Sequence, residues 1–349
     1  MRAPSIAGLV LVVLLAGCTP STGAPAAAPR AAGSEAPATG PSAAAAPAAS
    51  QATDTALVPI NVTNFGPSVN TAFLQYGLKK GYYRDEGLDV SVQFAEAAVG
   101  VQLVAAGHMD FSQAVGSSLA AAVRGAPIKI VFPTADRPLW WMYSQPSIKS
   151  TPELRGKTIG ASSAGSSLTI VARMILEHYG IGPDDATLVN LASQQRLAAL
   201  ESGAADAAFL VAPYNLEADR AGYPQLFNSK DEGILLITEG LATSDTFLRE
   251  KPDLVRRMLR ASLRSLRGMR DDPDGAVDTI ATFTEVSPDE ARQIYELALP
   301  TWTKDGTTDT AAMQQSVDIM KQVAQVDGPV SVDQVFDLSI AREVAAAAR

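Results

Sequence analysis

One order of elements occurs twice along this chain at a fixed spacing, and few folds accommodate that. Leu57 to Phe65 reads as a strand and Pro67 to Lys80 as a helix. Leu88 to Phe94 follows as a strand, with Leu88, Val90, Val92 and Phe94 apolar in steps of two. A helix over Val99 to Ala106, the turn Gly107-His108-Met109-Asp110 and a short strand complete the first pass. The second pass sets a strand at Lys157 to Ser162, a helix at Ser166 to Tyr179 and a strand at Thr187 to Leu191. A helix at Ser193 to Glu201, the turn Gly203-Ala204-Ala205-Asp206 and a strand at Ala207 to Val211 end it. Gly107 and Gly203 are 96 residues apart, as are Asp110 and Asp206. Two units of this kind each need a sheet with helices on both faces, which predicts two α/β lobes. Beyond Ile234 the pattern turns helical, with Val255, Met258, Leu259, Leu263, Leu266 and Met269 at helical spacing and a capping box at Ser287-Pro288-Asp289-Glu290.

The amino terminus predicts export. A short positive start, Met1-Arg2, precedes an uncharged apolar run from Ile6 to Ala16. A permanent transmembrane helix needs about 20 apolar residues, so this run suits a secretory signal instead. Leu15-Ala16-Gly17-Cys18 places small residues ahead of the only cysteine in the chain. A lone cysteine in an exported protein forms no internal disulfide, and at this position it is expected to carry lipid. From Thr19 to Ala56 the chain is Ala, Pro, Ser, Thr and Gly with few charges, a composition that cannot bury a core and predicts a disordered tether.

Composition narrows function by exclusion. With 28 basic against 37 acidic residues the net charge is −9, which disfavours nucleic acid as a partner. The two histidines, His108 and His178, sit in no nucleophile, metal or acid–base pattern. Asp271-Asp272-Pro273-Asp274-Gly275 lacks the ligand spacing of a calcium loop and reads as a helix cap. No metal, no cofactor and no catalysis are expected.

Four segments carry a family resemblance in order: GYYRDEGLDVSVQF (Gly81 to Phe94), LVAAGHMDFSQA (Leu103 to Ala114), ELRGKTIGASSAGSS (Glu153 to Ser167) and REKPDLVRRMLRA (Arg249 to Ala261). Together they resemble the periplasmic substrate-binding proteins of ABC importers, in the SsuA/THI5-like, NMT1-like group that includes sulfonate, taurine, nitrate and pyrimidine-precursor binders. Leu15 to Cys18 resembles the lipobox of bacterial lipoproteins. The resemblance implies a type II two-lobe fold, each lobe a mixed sheet flanked by helices. It implies residues 1–17 as signal peptide, 18–56 as lipidated tether, 57–140 and 240–349 as lobe 1, and 141–239 as lobe 2. Two crossing hinge segments are placed near Leu139 to Ser144 and Leu236 to Ser244. The implied partners are a small-molecule ligand, an ABC permease with its ATPase, and a membrane touched only through the lipid, the protein itself being a monomer. Some relatives are synthases that build a pyrimidine precursor from their own histidine beside a cysteine-rich iron motif, which this chain lacks.

Open α/β sheets bind ligands beyond the carboxyl ends of their strands. Four loops qualify on that rule: Phe65, Ser68 and Asn70 in the first, Ser117 and Ser118 in the second, Ser163, Gly165, Ser166 and Ser167 in the third, Pro213 and Tyr214 in the fourth. Serine and glycine at helix starts offer hydroxyls and free N–H groups to an anion, although each serine could act only as a helix cap. Arg137 could fork onto a carboxylate or sulfonate and Trp140 could stack on the ligand. The alternative is an Asp136–Arg137 surface pair with the tryptophan in the core. The ligand expected is a small organic anion, sulfonate-like or carboxylate. A neutral pyrimidine-like heterocycle is the alternative, as is a binding module that feeds a sensor or enzyme. The arginines at 256, 260, 264 and 267 share one helix face, either solvated or in contact with a permease.

Overall fold

The computed structural model describes residues 56–164, 166–231 and 235–348. The expected signal peptide, Cys18 and nearly all of the tether lie outside the described residues. Strands Val58–Asn64 (β1), Leu88–Phe94 (β2), Phe111–Ser112 (β3), Ile128–Ala135 (β4) and Glu239–Ser244 (β10) form one sheet in the order β2-β1-β3-β10-β4. Strands Trp141–Ser144 (β5), Thr158–Ala161 (β6), Thr187–Asn190 (β7), Ala207–Leu210 (β8) and Gln225–Asn228 (β9) form the other in the order β7-β6-β8-β5-β9. The two orders are the same pattern. Each sheet has one antiparallel strand, β10 in the first and β5 in the second.

The repeat read from sequence has a structural job. The Asp110 carboxylate accepts the Asn61 N–H of β1 at 2.7 Å, and the Asp206 carboxylate accepts the Thr158 N–H of β6 at 2.9 Å. The aspartate N–H groups donate back to the Asn61 and Thr158 carbonyls at 2.9 and 2.8 Å. Each Gly-x-x-Asp turn therefore ends a helix on a left-handed glycine and locks the next strand against the strand that opens its repeat.

The helical residues after β10 complete the first lobe. Helix Pro252–Asp271 buries all six apolar residues expected from its spacing and packs on helix Ala72–Lys79. Its outer arginines are engaged locally: Arg256 with Glu343 at 2.9 Å, Arg260 with Glu86 at 2.7 Å, Arg264 with Asp85 at 3.0 Å, and Arg267 on the Ala348 carbonyl at 2.9 Å. Asp272 caps the following helix by accepting the Gly275 N–H at 2.9 Å, so the acidic run is a helix start. The capping box at Ser287 and Glu290 is present.

The chain passes between the lobes twice. Most of each expected crossing segment is strand: Trp141–Ser144 is β5, in the second sheet, and Glu239–Ser244 is β10, in the first. Those backbones find their hydrogen-bond partners inside a sheet, so the connections lie earlier in the chain than expected, at Asp136 to Trp140 and, among the described residues, up to Asp231 and from Leu235 to Thr238. The two connections hold each other. Ser229 N–H donates to the Trp140 carbonyl at 3.0 Å, Trp140 N–H donates to Ser229 Oγ at 3.0 Å, and Leu236 N–H donates to the Asp136 carbonyl at 3.0 Å. Helix Thr310–Ala324 packs on Val115–Val123 of the first lobe and on Ser167–His178 of the second, and its Ser316 Oγ accepts the Ile237 N–H at 3.1 Å. Among the described residues no helix is long and apolar enough to cross a membrane.

Candidate functional site

A cleft of about 620 Å³ lies between the lobes, walled by loops that follow strands β1, β2 and β3 on one side and β6, β7 and β8 on the other. Its volume is that of a site for a drug-sized organic molecule. At its floor the lobes nearly touch. A Cβ built on Gly116, at the start of helix Val115–Val123, would lie 2.2 Å from Ser167 Oγ at the start of the second-lobe helix. Only glycine permits this approach.

The loop after β1 is tied down by its own hydrogen bonds. Asn64 Nδ2 donates to Gln113 Oε1 at 2.8 Å, Gly66 N–H donates to Asn64 Oδ1 at 2.7 Å, and Gln113 Nε2 donates to the Thr71 carbonyl at 3.2 Å. Ser68 Oγ accepts the Asn70 N–H at 3.1 Å. This network presents Phe65, Ser68 and Asn70 to the cleft. In the other lobe, Ser166 Oγ accepts the Thr169 N–H at 3.3 Å while the Thr169 hydroxyl donates to the Ser162 carbonyl at 2.7 Å.

Of the residues singled out from sequence, Phe65, Ser68, Asn70, Ser117, Trp140, Ser166, Ser167 and Tyr214 lie on the cleft wall. Ser118, Arg137, Ser163 and Pro213 do not. Ser118 is fully buried and turns its hydroxyl back onto the Ala114 carbonyl at 3.0 Å. Arg137 is a half-exposed side chain lying 3.9 Å from Asp136, the surface pair. Ser163 is buried below the wall, and Pro213 follows β8 across a cis peptide with its neighbours Val211 and Tyr214 facing the cleft. Gly165 lies outside the described residues.

The most informative groups on the wall are ones the sequence reading passed over. Glu239 opens β10, is 6% exposed, and its Oε2 has no hydrogen-bond partner. Desolvation pushes its carboxyl up to about 8, while the hydrogen-bonding side chains of nearby Asn70 and Thr238 pull the other way. A register shift between Glu239 and Gly240 re-aims the side chain at the strand end, as bulges beside binding sites do. Arg196, on helix Ser193–Glu201 of the other lobe, is 3% exposed and has no carboxylate partner. Its terminal nitrogens donate to Ser193 Oγ at 2.9 Å and the Leu191 carbonyl at 3.5 Å, while Nε is unpartnered. Burial lowers its guanidinium to about 10. Among the described residues nine buried side-chain polar atoms lack a partner, and four belong to the cleft residues Asn70, Arg196, Thr238 and Glu239. Each such atom costs about 1–3 kcal/mol, so their concentration at one place marks a site completed by something it binds. The carboxyl ends of β2 and β7 and the segments that follow them, which supply Phe94, Asn190 and Arg196, obey the same strand-end rule as the four loops selected from sequence, and applying it evenly to every parallel strand finds them.

Sheets of matching order, two crossing connections and a cleft at the strand ends define the class: the type II periplasmic-binding-protein fold, with each lobe a mixed sheet flanked by helices. The chain belongs to the NMT1/THI5-like family, whose model matches residues 68–276. Along 347 residues it is 25% identical to the riboflavin-binding protein RibY of Chloroflexus aurantiacus, with 94% of this chain and 95% of that one covered. It is 26% identical over 211 residues to the 4-amino-5-hydroxymethyl-2-methylpyrimidine phosphate synthase of Candida albicans, spanning 56% of this chain and 62% of the synthase. The alkanesulfonate-binding protein SsuA of Xanthomonas axonopodis pv. citri, solved with MOPS bound, superposes at a TM-score of 0.67 and 15% identity over 80% of this chain and 98% of that one. The resemblance read from four sequence motifs is borne out.

Proposed function

We propose that this protein is the extracytoplasmic solute-binding component of an ABC importer and that its cleft closes on a small heteroaromatic molecule. The observation that carries the reading is the pairing of Glu239 on one lobe with Arg196 on the other, each buried, each unpartnered by opposite charge, on the walls of one 620 Å³ cleft. Phe65, Phe94, Trp140 and Tyr214 add aromatic surface for a flat ligand. An organic anion fits less well, because Glu239 lies inside the cleft and Arg137 outside it. The riboflavin-binding relative, matched along nearly the whole of both chains, agrees with a heteroaromatic ligand. Binding rather than synthesis is favoured by the two histidines, both exposed and away from the cleft, so neither is placed to serve as a substrate there.

A thermal-shift panel of riboflavin, simple pyrimidines, taurine, alkanesulfonates and nitrate tests this. At a hundredfold excess over Kd a bound ligand adds about 2.7 kcal/mol, a rise of roughly 4–5 °C for a folded part of this size. The expected hit is a heteroaromatic compound. A hit confined to sulfonates or nitrate would return the site to an anion.

Residues 1–17 are proposed as a cleaved signal peptide, and Cys18 as the lipid-bearing first residue of an anchored protein whose tether runs to residue 56. Replacing Cys18 with Ala should abolish incorporation of labelled fatty acid in a bacterial host. Undiminished labelling would remove the anchor from the account.

A further inference from the structure

The cluster Asn70–Thr238–Glu239 holds three buried, unpartnered oxygens on one wall of the cleft: Asn70 Oδ1, Thr238 Oγ1 and Glu239 Oε2. An amide oxygen only accepts hydrogen bonds, a carboxylate only accepts them when ionised, and a hydroxyl does either. The wall across the cleft is of opposite character. Arg196 Nε is a donor with no acceptor, and guanidinium has no lone pair to offer. The side-chain amides of Asn190, Gln194 and Gln195 stand on that same second-lobe wall.

We infer that the Asn70–Thr238–Glu239 cluster accepts hydrogen bonds from ring or exocyclic N–H groups of the ligand while Arg196 donates to its carbonyl or ring-nitrogen acceptors, so that the site selects heterocycles carrying an N–H beside a carbonyl or a ring nitrogen and rejects N-alkylated ones. This rests on the heteroaromatic reading of the cleft and adds a substrate class to it, the cyclic imides, lactams and amino-heterocycles. The physical reason is the asymmetry of buried polar groups. A ligand without the N–H offers the three oxygens no donor while shutting off whatever water reaches them in the open cleft. An N–H donated to Glu239 also favours the ionised carboxylate, because charge-assisted bonds are the stronger ones. Binding then draws the carboxyl back toward its ordinary range and releases a proton near neutral pH. A ligand anion seated there would do the reverse and take a proton up.

The test is calorimetric titration of the whole protein with riboflavin and its imide-N-methylated derivative, and with 4-aminopyrimidine and 4-dimethylaminopyrimidine. Each compound is run at pH 7 in two buffers of different ionisation enthalpy. The expected result is a loss in affinity on the order of a hundredfold or more on N-alkylation, with proton release in the parent compounds. Affinity for the parents should rise with pH until Glu239 is ionised in the free protein. Glu239→Gln, which keeps an acceptor oxygen, should retain the N–H preference and abolish the proton release. Equal affinity for parent and N-alkyl compounds overturns the inference and leaves the heteroaromatic function standing, as does proton uptake on binding. No binding by any of the four removes the heteroaromatic reading, and this one with it.

Discussion

Replacing Glu239 with Gln should make the unliganded protein more stable at pH 8 and change it little at pH 5. In the folded protein burial holds the carboxyl at about 8, against 4.5 for a free side chain. Between those values the folded state keeps a proton that the unfolded state has lost, so stability falls as pH rises. The contribution is fully present below about 4.5 and is lost as pH rises through about 8. The difference amounts to something on the order of 4–5 kcal/mol, most of it regained in the variant at high pH. Urea unfolding of both proteins at pH 5, 7 and 9 measures it as a gap that widens with pH. Two curves that stay parallel would mean that Glu239 is solvated or paired in solution. A group that destabilises the empty protein near neutrality is what a ligand site displays before its ligand is bound.

The second large effect is expected at Gly240, the residue that aims Glu239. Its φ of +137° belongs to glycine, and a Cβ there would stand 1.9 Å from the carbonyl oxygen of Phe132 on the neighbouring strand. Backbone strain of about 1–3 kcal/mol combines with overpacking of similar size in Gly240→Ala. A loss of roughly 4 kcal/mol lowers the melting temperature by on the order of 10 °C. The clash can relax only by shifting β10 against β4, which moves Glu239 off the cleft wall. Ligand affinity should therefore fall together with stability, even well below the melting temperature. A variant of unchanged melting temperature would show that the bulge adopts another backbone path.

What was legible in the sequence was the part dictated by local pattern. Parallel strands buried on both faces are short apolar runs between glycine-rich turns, and the aspartates at 110 and 206 stand at equal spacing because they perform the same strand-locking task. The antiparallel strands β5 and β10 read as connections, since nothing in Trp141–Ser144 or Glu239–Ser244 says into which sheet a crossing segment will be drawn. That depends on topology. Ser118 illustrates a second limit: a serine one turn into a helix looks like its capping neighbours, yet it bonds back to Ala114 and never meets the cleft. Arg196 and Glu239 were illegible for a third reason. In sequence an arginine on a polar helix and a glutamate after an apolar run resemble ordinary surface charges, and only burial without a partner sets them apart.

If the two lobes bind one heteroaromatic solute through groups left unpaired on both walls, equilibrium titration of riboflavin against the wild-type chain and the Arg196→Met variant shows it most directly. Methionine fills similar volume, and removing an unpaired buried cation should leave the fold intact or firmer, which unfolding of the free variant checks. Binding to the wild type should be saturable and one-to-one, weakened in the variant by about 3 kcal/mol, on the order of a hundredfold. Saturable binding that Arg196→Met leaves unchanged, or no binding to a folded wild type, would contradict it.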